Sequence, residues 1–187
     1  MSIIGRTRDD AAGEAFDKAA RAMGFEYPGG IHIDRAARRG RKDTYRLPQP
    51  HIEGAPYDVS FSGLKTFVVN LLHNAEQKGE QVNTDDLCAC FENSVCTALC
   101  SRLMLAAKNF GYTKIVAGGG ICANTGLREA LASLCAENAY SLFIPPVSLC
   151  SDNAAMIASQ AYYEFLSGVT APLSLNAAAT MSIEKSF

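Results

Sequence analysis

Apolar residues that recur every three to four positions predict a long helix in the middle of the chain, over residues 83–110. Asp85 and Asp86 lie in its first turn, where the positive end of the helix dipole favours acidic side chains. Gly111 follows the last apolar residue and is expected to end the helix. A helix of this length is expected to be the scaffold on which a sheet packs.

Shorter apolar stripes with the same spacing predict three more helices, over residues 9–23, 64–75 and 127–137. Asp9 or Asp10 is expected to cap the first of them, because a carboxylate accepts the backbone N–H groups that a helix start leaves unpaired. A loop that carries Ser151 and Asp152 leads into a last helix, and one of these two residues is expected to cap it. The chain is therefore expected to be rich in helix.

Two short apolar runs, residues 115–117 and 140–144, predict strands. Because helix and strand alternate here, the pattern predicts parallel neighbours in an α/β sheet, with ligands at the carboxyl ends of the strands. Gly118, Gly119 and Gly120 follow the first strand, and their bare backbone would let a phosphate or a sugar come close. Glycines also form tight turns that bind nothing, so the residues alone leave both interpretations open.

Other polar positions have two interpretations as well. Asp10, Gly13 and Asp17 share one helix face, which indicates either ligand approach at a bare glycine or, as the favoured alternative, a solvated acidic face. The serines just before residue 64 and the nearby Lys65 could bind an anion at a helix start, and capping by Ser62 is the alternative.

Composition narrows the class of protein. The chain has 187 residues, 48% of them apolar, and its longest apolar stretches are too short for the ~20 residues that a bilayer requires, so no membrane partner is expected. The first ten residues do not resemble a secretory signal. Seven cysteines without a repeated framework indicate reduced thiols and a cytoplasmic location. The three histidines show no metal-ligand spacing.

Positive charge is concentrated in one segment. The net charge of −2 gives no general attraction to nucleic acid, so any such binding must be local. Six of the 17 basic residues fall within twelve positions, and we call them the basic cluster: Arg35, Arg38, Arg39, Arg41, Lys42 and Arg46. The cluster could bind a phosphate backbone, and a solvated charged face is the alternative.

Five motifs in a fixed order carry a family resemblance. They span residues 9–18, 27–30, 60–65, 117–124 and 151–158. Together they resemble the tRNA threonylcarbamoyladenosine transferases, formerly labelled O-sialoglycoprotein endopeptidases or glycoproteases, of the actin-like ATPase superfamily. The resemblance implies a helix-rich α/β fold, namely the C-terminal lobe of an actin-like ATPase (RNase H-like) fold with a helical insertion. We expect a helical insertion with the basic segment over 1–82, the α/β subdomain over 83–168 and an extended tail over 169–187.

The resemblance implies transfer of threonylcarbamoyl from its adenylate to N6 of adenosine 37 of tRNA. The implied binding residues for ATP or threonylcarbamoyl-adenylate are Asp17, Gly30, Gly118, Gly119 and Asn124. Asp152 matches a carboxylate ligand of an active-site iron or zinc. With tRNA as the implied substrate, we expect the basic cluster to contact its phosphate backbone, through Arg35, Arg38, Arg39, Arg41 and Lys42. An inactive paralogue and a small ATPase are the implied protein partners.

The sequence also departs from the family. It lacks the paired His-x3-His metal ligands and the Ser-Gly-Gly-His loop of the N-terminal lobe, so it looks like the C-terminal half, and Asp152 alone cannot hold a metal. We therefore expect the isolated chain to be inactive and its uncovered apolar surface to favour self-association.

Two other functions stay open at this point. One is the metalloprotease of the older label, against which stands the absence of a His-Glu-x-x-His motif. The other is a non-catalytic module that binds nucleotide or a protein partner.

Overall fold

The computed structural model describes residues 2–49, 52–177 and 179. The regular elements, in chain order, are α1 (Ala12–Ala22), α2 (Gly29–Ala37), α3 (Ser62–Lys78), α4 (Thr84–Phe110), β1 (Lys114–Val116), α5 (Thr125–Glu137), β2 (Ser141–Phe143) and α6 (Ala154–Leu166). Short 3-10 turns lie at Gly120–Ala123 and Val147–Leu149. The expected helix-rich α/β class is confirmed.

Helix α4 organises the molecule as predicted. Asn83 caps it by accepting the backbone N–H of Asp86 at 3.1 Å. Gly111 ends it in the left-handed conformation, with φ of 70°, which glycine adopts without steric cost. The amino-terminal half of α4 packs against α1, α2 and α3, and its carboxyl-terminal half packs against α5 and the sheet. Helix α4 thus contributes to the apolar cores of both predicted subdomains and joins them. The predicted boundary near residue 82 stays a prediction.

The larger core lies between the first four helices. Phe16 of α1 and Phe91 of α4 meet edge to face, with ring centroids 5.2 Å apart. Ile33 of α2 and Leu64 of α3 are fully buried beside them. All seven cysteines are free and buried, and burial raises the pKa of the Cys88 thiol to about 12, so these thiols behave as apolar packing groups.

The sheet has the predicted parallel order. Ile115 of β1 pairs with Leu142 of β2, and Val116 pairs with Phe143. Ile115 is buried against the helices, whereas Val116 and Phe143 are 78% and 54% exposed. One face of the sheet is therefore covered by α4 and α5, and the other face is open. No described helix is long and apolar enough to cross a bilayer.

Two predicted caps are wrong. Helix α1 begins after Ala11 without a side-chain cap, because Asp9 binds the start of α3 instead. Helix α6 is capped by Asn153, whose side chain accepts the backbone N–H of Met156 at 3.0 Å, rather than by Ser151 or Asp152. The physical reason is positional, since a residue that caps its own helix lies directly before the first helical residue, and Ala11 and Asn153 occupy those positions.

Helix α2 is an element that the sequence pattern did not predict. The helix starts at Gly29, directly after Pro28. Its apolar stripe is short and lies among basic residues, which hides the helical period. The predicted extended tail lies partly outside the described residues, and its described part, 169–177 and 179, carries a turn but no helix or strand.

Candidate functional site

The turn after β1, at residues 118–120, presents bare backbone, and we call it the glycine turn. Gly119 has φ of 96° and ψ of 167°, a conformation that essentially only glycine adopts. A Cβ atom added to Gly118, Gly119 or Gly120 would meet no protein atom within 4 Å. Openness alone is not distinctive, because a surface glycine such as Gly63 is open as well. What distinguishes this turn is its place at the carboxyl end of a parallel strand, where ligands bind in α/β sheets.

Asp17 connects α1 to the start of α2. One of its carboxylate oxygens accepts the backbone N–H of Gly29 at 2.8 Å. Gly29 is a packing glycine, because an added Cβ would lie 2.3 Å from the Cβ of Ala20. The next residue, Gly30, faces open space. Helix α1 also contacts the 3-10 turn that follows Gly119, so α1 packs against both the start of the segment after β1 and α2.

Of the other acidic residues near this face, Glu14 of α1 is exposed and Asp10, just before the helix, is half-buried. Asp10 and Glu14 both pair with Lys18, at 2.5 and 2.7 Å. Gly13 is exposed and has no close neighbour. Only Asp17 turns towards α2, so it alone of this face belongs to the candidate site.

Asn124 is buried, and both polar atoms of its side-chain amide form hydrogen bonds. Its Oδ1 accepts the backbone N–H of Leu127 at 2.8 Å and so caps α5. Its Nδ2 donates to Oε1 of Glu92 at 2.6 Å. These two contacts place the amide group under the first turn of α5, directly after the glycine turn.

Glu92 is a buried acid that the sequence analysis missed. It lies on α4 and is only 5% exposed. Burial raises the pKa of its carboxyl group, and the hydrogen bond from Asn124 opposes that rise. A Cβ added to Gly126 would lie 2.4 Å from Oε2 of Glu92, so a larger residue there would force the Glu92 carboxylate to shift. The sequence did contain a signal for it, because Glu92 is an acidic residue on the side of α4 that the apolar stripe predicts to be buried.

A second polar contact joins α2 to α5. The carboxylate of Asp34 accepts both the backbone N–H and the hydroxyl of Thr125, each at 3.1 Å. Arg38 donates to the Thr125 hydroxyl and to the Asp34 carboxylate. Asp34 was also missed, because its partner lies 91 residues away in sequence. The start of α5 is thus held from two sides.

Arg128 binds the carboxyl ends of both strands together. Its Nη1 donates to the carbonyl of Cys122 at 2.8 Å and to the carbonyl of Pro145 at 3.0 Å. The first carbonyl belongs to the turn after β1, and the second belongs to the loop after β2 that leads to Asp152. The two loops therefore meet at one edge of the sheet, as the strand order predicted.

The described residues do not form a metal site by themselves. Asp152 is exposed. Within residues 2–49, 52–177 and 179, no group of three or more histidine, cysteine, aspartate and glutamate side chains could hold a metal ion. Asp152 offers a single carboxylate, and one oxygen donor is far too few for a metal ion.

Much of the basic cluster is engaged in ion pairs. Arg39 binds Asp85 through two nitrogens, at 2.9 and 2.7 Å. Arg41 binds the buried carboxylate of Asp86, whose pKa is lowered first by the backbone N–H of Arg41. Arg38 binds the start of α5, as described above. Arg35 and Lys42 are exposed and make no ion pair within the part of the chain that the structure describes.

The amino-acid sequence matches a family model described as tRNA N6-adenosine threonylcarbamoyltransferase over residues 1–159. The chain belongs to this family. Curated relatives with that name include proteins from Staphylococcus haemolyticus, 47% identical over 99% of this chain and 54% of the relative, and Geobacillus thermodenitrificans, 48% identical over 95% and 52%. A relative from Clostridioides difficile is 43% identical over 98% of this chain and 54% of its own length.

The threonylcarbamoyltransferase family membership confirms the resemblance carried by the five motifs. The chain spans about half the length of the curated relatives it matches. The names of these relatives describe a transferase that acts on tRNA and do not favour the protease of the older label.

Proposed function

We propose that this chain is the half of a tRNA threonylcarbamoyltransferase that forms one wall of its nucleotide site. The observation that carries the proposal is that two open backbone segments lie on elements packed against the same helix, α1. Gly30, at the start of α2, and the Gly118–Gly120 turn both face open space, on elements that each contact α1. Backbone without side chains lets a nucleotide approach closely, and the strand-end position is where α/β folds bind ligands.

Each residue of the wall has a proposed task. Asp17 uses one oxygen to hold Gly29, and its carboxylate would accept a ribose hydroxyl. The N–H of Gly30 lies in the first turn of α2, where amides lack partners within the helix and suit an oxygen of the ligand. Gly118 and Gly119 would lie against the adenosine of ATP or threonylcarbamoyl-adenylate. Asn124 holds this turn in place from the buried side.

In the proposed reaction the whole enzyme would hold the adenylate and the tRNA together. A bond would form between N6 of adenosine 37 and the carbamoyl carbon, and the bond from that carbon to the phosphate oxygen would break. AMP would leave, and N6 would lose a proton. The contribution of this chain is positioning, which lowers the entropic part of the barrier. Iron or zinc is a proposed cofactor of the whole enzyme, to which Asp152 would add one ligand.

Isothermal titration of the chain with ATP tests the nucleotide wall. Gly30 and Gly63 are both the second residue of a helix and both face open space, so they form a matched pair. We expect Gly30→Val to weaken ATP binding by about tenfold, equivalent to ~1.4 kcal/mol. Gly63→Val should leave the affinity unchanged. Equal affinities for the two variants and the wild type would contradict the proposal.

A parallel assay of threonylcarbamoyl transfer tests the expected inactivity of the isolated chain. The chain is expected to give no turnover, because the described residues hold no complete metal site and the chain spans about half the length of its curated relatives. Turnover that the chain alone sustains over many cycles would contradict this part of the proposal.

We also propose that the basic cluster contacts the phosphate backbone of tRNA. The side chains of Arg38, Arg39 and Arg41 are 59%, 62% and 75% exposed, so their ion pairs leave most of each surface available. Arg35 and Lys42 are exposed beside them. Phosphate contacts of this kind position the nucleic acid without reading its bases.

Docking of a protein partner is a second candidate function, and uncovered apolar surface favours it. No residue of α6, whose 13 residues the structure describes in full, is buried. Ile157 and Phe165 of α6 are 66% and 69% exposed, and Val116 and Phe143 leave one sheet face open. The proposed occupant is a second copy of this chain. An inactive paralogue and a small ATPase remain the proposed partners of the whole enzyme.

Sedimentation velocity over a range of protein concentrations tests this self-association. The wild type should sediment faster as the concentration rises, and the double variant Ile157→Glu/Phe165→Glu should remain a monomer. Val69→Glu, at an exposed position of α3, is the control and should behave as the wild type does. A wild type that is monomeric at every concentration would exclude the second copy as occupant.

A further inference from the structure

The orientation of the Asn124 amide group is determined by what lies on either side of it. Its Oδ1 faces a donor, the backbone N–H of Leu127, at 2.8 Å. Its Nδ2 faces an acceptor, Oε1 of Glu92, at 2.6 Å. Rotating the amide by half a turn would place an oxygen against the carboxylate and an NH2 group against an N–H donor. Glu92 therefore selects the orientation in which Asn124 caps α5.

Glu92 is itself held in place by its surroundings. It lies on α4, the longest helix of the molecule, and is buried. Its second oxygen lies against Gly126, where a Cβ would approach to 2.4 Å. The carboxyl group is thus wedged below the first turn of α5, directly after the glycine turn.

Charged and titratable groups face Glu92 from each neighbouring element. Asp34 and Arg38 of α2 act on its charge, as does Lys42 beyond the end of that helix. Its own helix contributes the thiols of Cys88 and Cys96. Asp34 and Arg38 also bind Thr125, so the network around Glu92 ends at the residue that follows Asn124.

We infer that Glu92 is a positioning residue for the nucleotide wall, acting through Asn124 to hold the glycine turn and the start of α5 in their binding geometry. The inference rests on the proposed nucleotide site. Glu92 lies beneath the wall and has no direct contact with the proposed ligand in this role. Losing its acceptor oxygen would leave Nδ2 of Asn124 buried without a partner, which favours rearrangement of the cap.

Three substitutions separate the parts of this role. Glu92→Gln keeps the length of the side chain and an oxygen that can accept from Asn124, so it should preserve the geometry. Glu92→Leu removes the acceptor while filling the space. Asn124→Ser keeps a capping oxygen for α5 but loses the contact with Glu92.

The first measurement is hydrogen exchange of the Leu127 backbone amide, which needs no nucleotide. We expect exchange to be about tenfold faster in Glu92→Leu, because that amide donates to the Asn124 cap, and close to wild type in Glu92→Gln. Unchanged exchange in a folded Glu92→Leu variant would overturn the inference even if ATP does not bind at all. Failure of the wild type to bind ATP, in contrast, would count against the proposed function.

The second measurement is ATP affinity in a double-mutant cycle. Glu92→Leu and Asn124→Ser should each weaken binding by about tenfold, and the double variant by no more than either alone, because both break one contact. Glu92→Gln should bind ATP with the affinity of the wild type, because it keeps the contact with Asn124. If the losses came only from a destabilised core, this difference between Glu92→Gln and Glu92→Leu would not be expected. Fully additive losses would overturn the inference. If Glu92→Leu does not fold, Asn124→Ser and Glu92→Gln still decide it, since unchanged affinity in the former contradicts the role of the contact.

Discussion

The carboxylate of Asp9 accepts the backbone N–H of Phe61 at 2.8 Å, although the two residues lie 52 positions apart in sequence. The same carboxylate also accepts the N–H of Ser62 at 3.3 Å and the hydroxyl of Ser60. The start of α3 was expected to bind an anion or to be capped by Ser62. It binds an anion that belongs to the protein itself, so this helix start is a structural contact.

Removing that contact should destabilise the protein. Asp9→Ala is expected to lower the free energy of unfolding by about 1 kcal/mol, the usual cost of losing a helix cap. Urea denaturation measures this, with Glu26→Ala, at an exposed position, as the control. An equal effect of the two substitutions would show that Asp9 does not act as a cap.

The effect of Asp9 should also depend on pH. Partial burial raises the pKa of the Asp9 carboxyl group, but the hydrogen bonds from residues 60–62 outweigh it and the net pKa is lowered. A lowered folded-state pKa means that the stabilisation is complete above the unfolded-state pKa and is lost as the pH falls through the folded-state pKa. The difference in stability between wild type and Asp9→Asn should therefore shrink in acid. A difference that is constant from neutral to acidic pH would contradict this assignment.

Glu92 is expected to show the opposite pH dependence. Its pKa is raised by burial, so its contribution to stability is complete below the unfolded-state pKa and is lost as the pH rises through the folded-state pKa. Glu92→Gln has no charge to bury, so it should gain stability relative to wild type from acidic to neutral pH. Thermal unfolding at several pH values measures this, with Glu129→Gln, exposed on α5, as the control for losing one negative charge. If the stabilities of wild type and Glu92→Gln changed in parallel with pH, the prediction would be refuted.

Two substitutions in the glycine turn should affect stability and ATP binding separately. Gly119→Ala places a side chain in a conformation that is nearly restricted to glycine, and we expect it to cost about 2 kcal/mol of stability. Gly118→Val adds its side chain to open space and should leave the stability unchanged while weakening ATP binding. Denaturation and titration of the same two variants distinguish these effects. Loss of stability in Gly118→Val would show that this position packs against protein rather than facing a ligand.

The basic cluster should bind tRNA through phosphate contacts. Arg35→Glu/Lys42→Glu reverses two charges that make no ion pair within the described residues, so binding should weaken and its salt dependence should flatten at unchanged stability. Fluorescence anisotropy with labelled tRNA at increasing potassium chloride measures both. Lys65→Glu/Lys78→Glu on α3 is the control with the same change in charge. Equal losses in both variants would indicate only a general electrostatic attraction.

The elements with strong local signals were predictable from the sequence. The long apolar stripe of α4, its acidic first turn and Gly111 all act within a few residues of one another, so the predicted helix agrees with the observed one. The two parallel strands followed from the alternation of helix and strand. The family was recognisable because five motifs stand in order, and membership is confirmed.

The connections between elements were decided by the tertiary structure. The contact of Asn124 with Glu92 spans 32 residues, and that of Thr125 with Asp34 spans 91. No local period or capping rule connects such pairs, because a buried carboxylate finds its donor only after the helices have packed. The sequence by itself therefore determined five of the six described helices, the two strands and the family, but not α2. Only packing decided which acid binds which helix start, as Asp9 does for α3 and Asp34 for α5, because burial makes an unpaired polar group costly.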